Sequence, residues 1–288
     1  MSLSIADAIL ESAQVLRSAG VPDARREAGA LLAPVLREDR AFLITHGGDA
    51  LAADALAVFR DWTIRRASGE PLQYITGNQE FFGLDFEVNH DVLIPRPETE
   101  LLVETALELI GDAHAAPLIC DIGTGSGCII ISLLHERRQA KGLAVDISPA
   151  AVRVALRNAA RHQVNERTSF VVADGFAAFR KSKPKFEMIV SNPPYVADRD
   201  FPGLQREVRE HEPRLALTSG NDGLSMIDTL LREAPVFLAD GGYLLLEIGY
   251  DQQDAVQRLI DGRVWKVIAF RDDLQGIPRT VVLQKVVS

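Results

Sequence analysis

Apolar residues recur at helical spacing through the first 75 positions. Ile5, Ile9, Val15 and Leu16 fall near one face of a first helix, which Gly20 and Pro22 end. Asp23 is placed to cap a second helix whose apolar side is Leu31, Leu32, Val35 and Leu36. A short segment, Arg40 to Thr45, stops at Gly47-Gly48. Leu51 to Ala67 predicts a further helix, with Leu56, Phe59 and Ile64 inward and Arg60, Arg65 and Arg66 outward. No alternating strand pattern interrupts this stretch, so it reads as a small all-helical module.

The pattern changes after Gly77. Phe86 and Val88 alternate with acids and Gly83 marks a bend, which predicts a β-hairpin. Pro95 and Pro97 hold the chain open until a helix begins near Glu98 and runs to Ile110. The carboxylates Glu98 and Glu100 and the hydroxyl of Thr99 suit that N-terminus. From Pro117 onward, short apolar runs alternate with helical patterns. Strands are expected at Pro117 to Gly123, Gly142 to Val145, Ser169 to Val172, Phe186 to Ser191 and Tyr243 to Ile248. Helices are expected from Cys128 to about Arg137, Ser148 to about Arg161, Leu224 to Leu238 and Gln252 to Ile260. The last two strands, Val264 to Phe270 and Thr280 to Val286, are joined by a short turn-rich link and pair antiparallel. Residues 196–222 are polar and turn-rich, the composition of a lid or substrate rim. The fold class expected is α/β, a doubly wound sheet preceded by an all-helical domain. The boundaries expected are 1–76 for the helical bundle, 77–95 for a hairpin linker and 96–288 for the sheet domain.

Composition adds exclusions. At 288 residues with 47% hydrophobic and 25% charged residues, the chain can bury a substantial core. A net charge of −9 argues against a broad grip on duplex DNA, which needs a basic face. The two cysteines, Cys120 and Cys128, lack ligand-like spacing, so neither a disulfide scaffold nor a metal site is expected. Asp7 and Glu11 interrupt the first apolar pattern, so no secretory signal is read, and no run reaches the length of a membrane span. The expectation is a cytoplasmic protein.

Candidate chemistry sits where strands end. The first strand of the sheet domain enters Asp121-Ile122-Gly123-Thr124-Gly125-Ser126-Gly127-Cys128 and then a helix. Glycines let a ligand approach the backbone at a helix N-terminus. Glycine at the first, third and sixth positions would mark the dinucleotide fingerprint, but the sixth position here is Cys128, which leaves acid-x-Gly-x-Gly-x-Gly. Asp146 ends the second strand 19 residues past Gly127, placed to accept from both ribose hydroxyls. Asp174, after the third strand and before Gly175-Phe176, is placed to accept from an adenine amino group; a solvated loop carboxylate is the competing reading. The fourth strand stops on Asn192-Pro193-Pro194-Tyr195. Two prolines cannot donate to a sheet ladder, and Asn192 before Pro193 is held extended. One amide side chain, a stiff backbone and one aromatic ring then stand at the carboxyl end of a central strand. That set can grip a planar amide or amidine NH2 and present its nitrogen to an electrophile.

These features together resemble the Rossmann-like methyltransferases that use S-adenosylmethionine, and within them the release-factor glutamine methyltransferases (the HemK/PrmC family). The likeness runs along nearly the whole chain. It takes in Tyr74-Ile75-x-Gly77, Phe82-Gly83-x-x-Phe86, Leu93-Ile94-Pro95-Arg96-Pro97-Glu98-Thr99-Glu100 and the Asp121 to Cys128 loop. It continues through Asp146-Ile147-Ser148, Ser191 to Tyr195, Glu212-Pro213, Asp222-Gly223, Leu246-Glu247-Ile248-Gly249 and Asp273-x-x-Gly276-x-x-Arg279. The resemblance implies a seven-stranded methyltransferase domain that holds S-adenosylmethionine with Gly123, Thr124, Gly125, Ser126, Gly127, Asp146, Asp174, Gly175 and Asn192, and releases S-adenosylhomocysteine. It implies methyl transfer to the side-chain amide nitrogen of the glutamine in the Gly-Gly-Gln loop of class 1 peptide chain release factors. Asn192, Pro193, Pro194 and Tyr195 would hold that amide, with Asn192, Pro193 and Tyr195 catalytic. The helical module would dock the factor, a structural cap being the competing reading of that module, and a monomer without stable nucleic-acid or membrane binding is expected. One departure concerns the adenine site. Where some members carry a tryptophan after the third-strand acid, this chain has Gly175, so the adenine wall must come from elsewhere, with Phe176 beside it. An adenine-N6 DNA or RNA methyltransferase could use the same turn on a flipped base. A cofactor-binding regulator without turnover is a third class, which an intact Asn-Pro-Pro-Tyr disfavours.

Overall fold

The computed structural model of the chain describes residues 3–110, 116–179 and 184–287. It divides into two compact units, residues 1–78 with 205–211, and residues 79–204 with 212–288.

The 1–78 part of the first unit holds five described helices: α1 (Ile5–Ser18), α2 (Ala24–Leu36), α3 (Arg40–Thr45), α4 (Ala53–Ala67) and α5 (Leu72–Thr76). Ser4 and Asp39 cap α1 and α3 by accepting the amides of Asp7 and Phe42. Asp23 does not cap α2 with its side chain, because its own backbone is left-handed (φ 47°). Leu16, Leu31, Leu32 and Phe59 are fully buried. Two inward assignments are corrected. Val15 and Ile64 face solvent, at 43% and 65% exposure, while Arg66 is buried at 7%. Arg66 can go inside because its charge is matched there: Nε donates to Glu27 at 2.5 Å and Nη1 lies 3.1 Å from Glu207. Glu207 belongs to α9 (Arg206–His211), a helix inside the stretch read from the sequence as a long loop of the sheet domain, and it groups with the helical unit.

The second unit opens with the hairpin β1 (Asn78–Phe81) and β2 (Leu84–Glu87), turned at Phe82-Gly83. Phe81 and Phe86 are buried in the sheet unit's own core. A short 3-10 turn (Pro97–Thr99) then leads into α6 (Glu100–Ile110). Alternation follows as β3 (Leu118–Ile122), α7 (Cys128–Glu136), β4 (Lys141–Asp146), α8 (Pro149–Arg161), β5 (Thr168–Val172) and β6 (Phe186–Ser191). After the 196–222 segment come α10 (Ser225–Phe237), β7 (Leu238–Glu247), α11 (Gln253–Leu259), β8 (Trp265–Asp272) and β9 (Pro278–Lys285). The seven strands lie in the order β5-β4-β3-β6-β7-β9-β8, parallel through β7 and antiparallel at the β7–β9 and β9–β8 pairs.

Period-two alternation puts successive side chains on opposite faces. Ile119, Met188, Val190, Leu245 and Val282 pack with α6 and α7. Cys120, Ile122, Ile189, Leu244 and Leu246 pack with α10 and α11. Both cysteines are buried thiols. Chain order reverses between β3 and β6, which makes their carboxyl ends the topological switch point where open α/β sheets bind ligands. The glycine loop leaves β3 there and the Asn-Pro-Pro-Tyr turn leaves β6. Ser191 Oγ ties the two strand ends by donating to the Ile122 carbonyl at 2.6 Å. No helix among the described residues is long and apolar enough to cross a membrane.

Candidate active site

A cavity of about 240 Å³ opens at this switch point. One side is the loop after β3. Gly123, Gly125 and Gly127 all adopt positive φ. A Cβ at Gly127 would also sit 2.7 Å from Ile131 Cδ1 and 3.2 Å from Ala155 Cβ, so this glycine is where α7 packs closely on α8. Gly123 and Gly125 have open space where a side chain would be.

Asp146 faces this loop from the end of β4. Its two carboxylate oxygens accept the amides of Gly125 and Ser148, each at 2.9 Å. Burial pushes its pKa up, and the backbone donors partly offset that. Asp121, at the end of β3, is fully buried and accepts from Thr124 Oγ1 at 2.7 Å. Desolvation raises it to about 7.

Of the residues singled out from the sequence, Gly123, Thr124, Gly125, Ser126, Asp146, Asp174, Gly175, Asn192 and Pro194 line this one cavity. Gly127, Pro193 and Tyr195 do not. Phe176 is corrected as the adenine wall: it is 1% exposed and stacks on Phe237, inside the core against α10. Ile147 and Met226 are among the apolar side chains that do line the cavity. Met226 Cε lies 3.9 Å from the place a Gly175 Cβ would take.

The turn after β6 is held from several directions. Gln252 Nε2 donates to the Tyr195 carbonyl at 3.0 Å, and Gln252 Oε1 accepts the Gly249 amide. Val196 donates to the Leu217 carbonyl. Arg96, on the cavity wall, pairs with buried Glu212 at 2.5 Å, and Glu212 also accepts the Ile94 amide. Asn192 Nδ2 donates to Thr99 Oγ1 at 3.0 Å, and Thr99 Oγ1 donates to Glu247 Oε2 at 2.6 Å. The Tyr195 hydroxyl donates to the other oxygen, Oε1, at 3.4 Å. Glu247 is 1% exposed at the end of β7. Desolvation raises its pKa to about 7, against the bond from Thr99 and the charge of Arg279. Thr99 and Glu247 are functional candidates to which the sequence reading gave no site role. Both stand in motifs of the resemblance, but Thr99 read as a helix-start residue and Glu247 as an acid ending an otherwise apolar strand.

The residues suit a nucleoside-bearing ligand. A cradle of bare backbone, the half-buried carboxylate of Asp146 and an apolar wall share one cavity, and Asn192 stands in the same wall. Comparison with known proteins narrows this. The PrmC N-terminal domain model matches residues 7–77, and the methyltransferase small domain model matches residues 97–212. The release factor glutamine methyltransferase of Koribacter versatilis (strain Ellin345) is 43% identical over 273 residues, 95% of each chain. That of Burkholderia pseudomallei (strain K96243) is 44% identical over 272 residues, 93% of this chain and 94% of that one. The chain belongs to the release factor glutamine methyltransferase family. Among solved structures, the hMettl16 catalytic domain in complex with the MAT2A 3'UTR hairpin 6 superposes with a TM-score of 0.57 at 18% identity, covering 78% of this chain and 82% of that one. A methyltransferase from Pyrococcus furiosus gives 0.52 at 16% identity, over 79% and 99%. At those identities the likeness is one of fold.

Proposed function

We propose that this chain methylates the side-chain amide nitrogen (N5) of the glutamine in the Gly-Gly-Gln loop of class 1 peptide chain release factors, using S-adenosylmethionine. The observation that carries the reading is that Asn192 and the Gly123–Ser126 cradle line the same cavity. Family membership over 95% of the chain length supports the same substrate class.

S-adenosylmethionine supplies an electrophilic methyl on a sulfonium and leaves as S-adenosylhomocysteine. Gly123, Thr124, Gly125 and Ser126 offer it backbone, Asp146 a carboxylate for the ribose, and Asp174, Ile147 and Met226 the adenine surroundings. The acceptor nitrogen is a poor nucleophile because its lone pair is delocalised into the amide. Asn192 Nδ2 is committed to Thr99, so Oδ1 is the end left to accept a substrate N–H. In this reading the second N–H goes to the carbonyl of Pro193, which lies between the cavity-lining Asn192 and Pro194. Two acceptors fix the nitrogen and favour positive charge building on it as the new N–C bond forms. The N-methylated, N-protonated amide is strongly acidic and gives its proton to water, so no strong base is needed. Tyr195 packs beside the turn with its hydroxyl on Glu247 rather than free in the cavity.

In this reading the helical unit docks the body of the factor. A net charge of −9 suits a protein substrate rather than a nucleic acid, and the enzyme is taken as a monomer. A translation factor as substrate places the reaction in the cytoplasm. The test is Asn192→Ala with purified release factor and labelled cofactor. Turnover should fall roughly 100- to 1,000-fold, as for deletion of one group that grips a transition state, with S-adenosylhomocysteine affinity retained. Near-normal methylation by that variant, or label transferred to nucleic acid by the wild type, overturns the reading.

A further inference from the structure

We propose that Glu247 is a positioning residue that, acting through Thr99, sets which end of the Asn192 carboxamide faces the cavity. The inference rests on the reading above and concerns how its gripping group is aimed.

A carboxamide has two ends of similar shape and opposite polarity. Only the oxygen can accept an N–H from a substrate amide. Nothing in the local sequence fixes which end of Asn192 points inward. The bonds around it do. An ionised carboxylate is an acceptor only. Glu247 Oε2 therefore takes the single hydroxyl proton of Thr99, at 2.6 Å. With that proton spent, Thr99 Oγ1 can only accept toward Asn192, and it receives Nδ2 at 3.0 Å. A flipped Asn192 would set its oxygen against an oxygen with no proton to offer. Oδ1 is thereby turned away from Thr99. The second Glu247 oxygen takes the Tyr195 hydroxyl, so one carboxylate holds both polar side chains of the turn.

Adding a proton to Glu247 removes the directionality. The carboxylic acid can donate to Thr99, Thr99 can then donate onward, and Asn192 can meet it with its oxygen. The Oδ1 acceptor is lost from the cavity although no heavy atom need move far. The groups that set the charge of Glu247 are Thr99 and Glu98 from the turn before α6, Tyr195 after β6 and Arg279 from β9. The Cys128 thiol at the start of α7 also senses it and stays protonated, its pKa pushed up to about 12 chiefly by burial. Glu247 itself is raised to about 7, first by desolvation, so both states are within reach near neutrality.

The experiment compares wild type, Thr99→Val, Thr99→Ser and Glu247→Gln on full-length release factor. It measures kcat, KM, S-adenosylhomocysteine affinity and the pH profile of kcat. Thr99→Val keeps the shape and removes the relay. Its kcat should fall by up to roughly 100-fold, the scale of a misplaced reacting group, with KM and product affinity within about threefold of wild type. Thr99→Ser should restore most of kcat. Wild-type kcat should rise with pH as Glu247 ionises, and Glu247→Gln should lose that rise. An unchanged kcat in Thr99→Val, an equal loss in Thr99→Ser, or the wild-type pH profile in Glu247→Gln overturns the proposal. A fall in product affinity parallel to kcat means a structural role and also overturns it. Should Thr99→Val fail to fold, the Glu247→Gln profile decides. Failure of the wild type to methylate the factor would instead sink the functional reading.

Discussion

Glu247→Gln should make the sheet unit more stable at alkaline pH while making the enzyme slower. Glu247 is 1% exposed and its pKa is raised from 4.5 to about 7, chiefly by desolvation. An acid whose folded pKa lies above its unfolded value binds its proton more tightly when folded. The stability so gained is complete below about pH 4.5 and is lost as pH rises through about 7. At roughly 1.4 kcal/mol per pKa unit, ionising the buried carboxylate costs the folded state about 3 kcal/mol at pH 8.5. Glutamine has nearly the same shape, carries no charge and can still bond Thr99 and Tyr195. It should recover about 1–3 kcal/mol at pH 8.5 and close to nothing at pH 4.5.

The assay needs a reporter of the sheet unit alone. The chain has two tryptophans, Trp62 in α4 and Trp265 at the start of β8. In a Trp62→Phe background, the fluorescence of Trp265, which is 3% exposed, follows the sheet unit during urea unfolding. Asp121 is also raised to about 7, but it is present in both proteins and cancels in the difference. If Glu247→Gln is less stable than its parent by the same margin at both pH values, the buried carboxylate is not ionising at a cost, and the account of its environment is wrong.

Gly127→Ala should destabilise the sheet unit by about 2–4 kcal/mol, since it combines a φ of 84° with a methyl 2.7 Å from Ile131 Cδ1; a urea midpoint within error of wild type would refute this. Met226→Ala should weaken S-adenosylhomocysteine binding about tenfold, the worth of roughly 1.4 kcal/mol of lost apolar contact; calorimetry giving an unchanged Kd would remove Met226 from the adenine wall.

What the sequence disclosed and what it hid divide along the range of the interactions involved. β6 was legible because Phe186 to Ser191 is an apolar run that two prolines stop. The start of α8 was legible because Ser148-Pro149 is local capping chemistry, and Ser148 does accept the Ala151 amide. The cavity-lining loops were legible for the same reason: turns are encoded by residues next to each other. The inward Arg66 was not, because the carboxylates that match its charge, Glu27 and Glu207, lie far off along the chain and periodicity counts only apolar residues. The identity of the adenine wall was not, because Met226 reaches Gly175 from another helix. The aim of Asn192 was hidden most deeply. It depends on Thr99, 93 positions away, and through it on Glu247, a further 148.

A buried carboxylate is an expensive way to hold two hydroxyls. A neutral amide would satisfy both at less cost, and well-packed apolar groups are often more stable than buried charge. The difference lies in direction. Glutamine or asparagine at position 247 could offer Thr99 either a donor or an acceptor, and the ambiguity would pass through the hydroxyl to Asn192. A carboxylate offers acceptors at both oxygens and leaves the hydroxyl one choice. A hydroxyl is itself the right relay, since its single proton makes donation on one side exclude donation on the other. Polarity is therefore handed from the end of β7 to the turn after β6 through bonds of 2.6 and 3.0 Å. The stability forgone at Glu247 is what keeps an acceptor, and not a donor, turned toward the substrate amide.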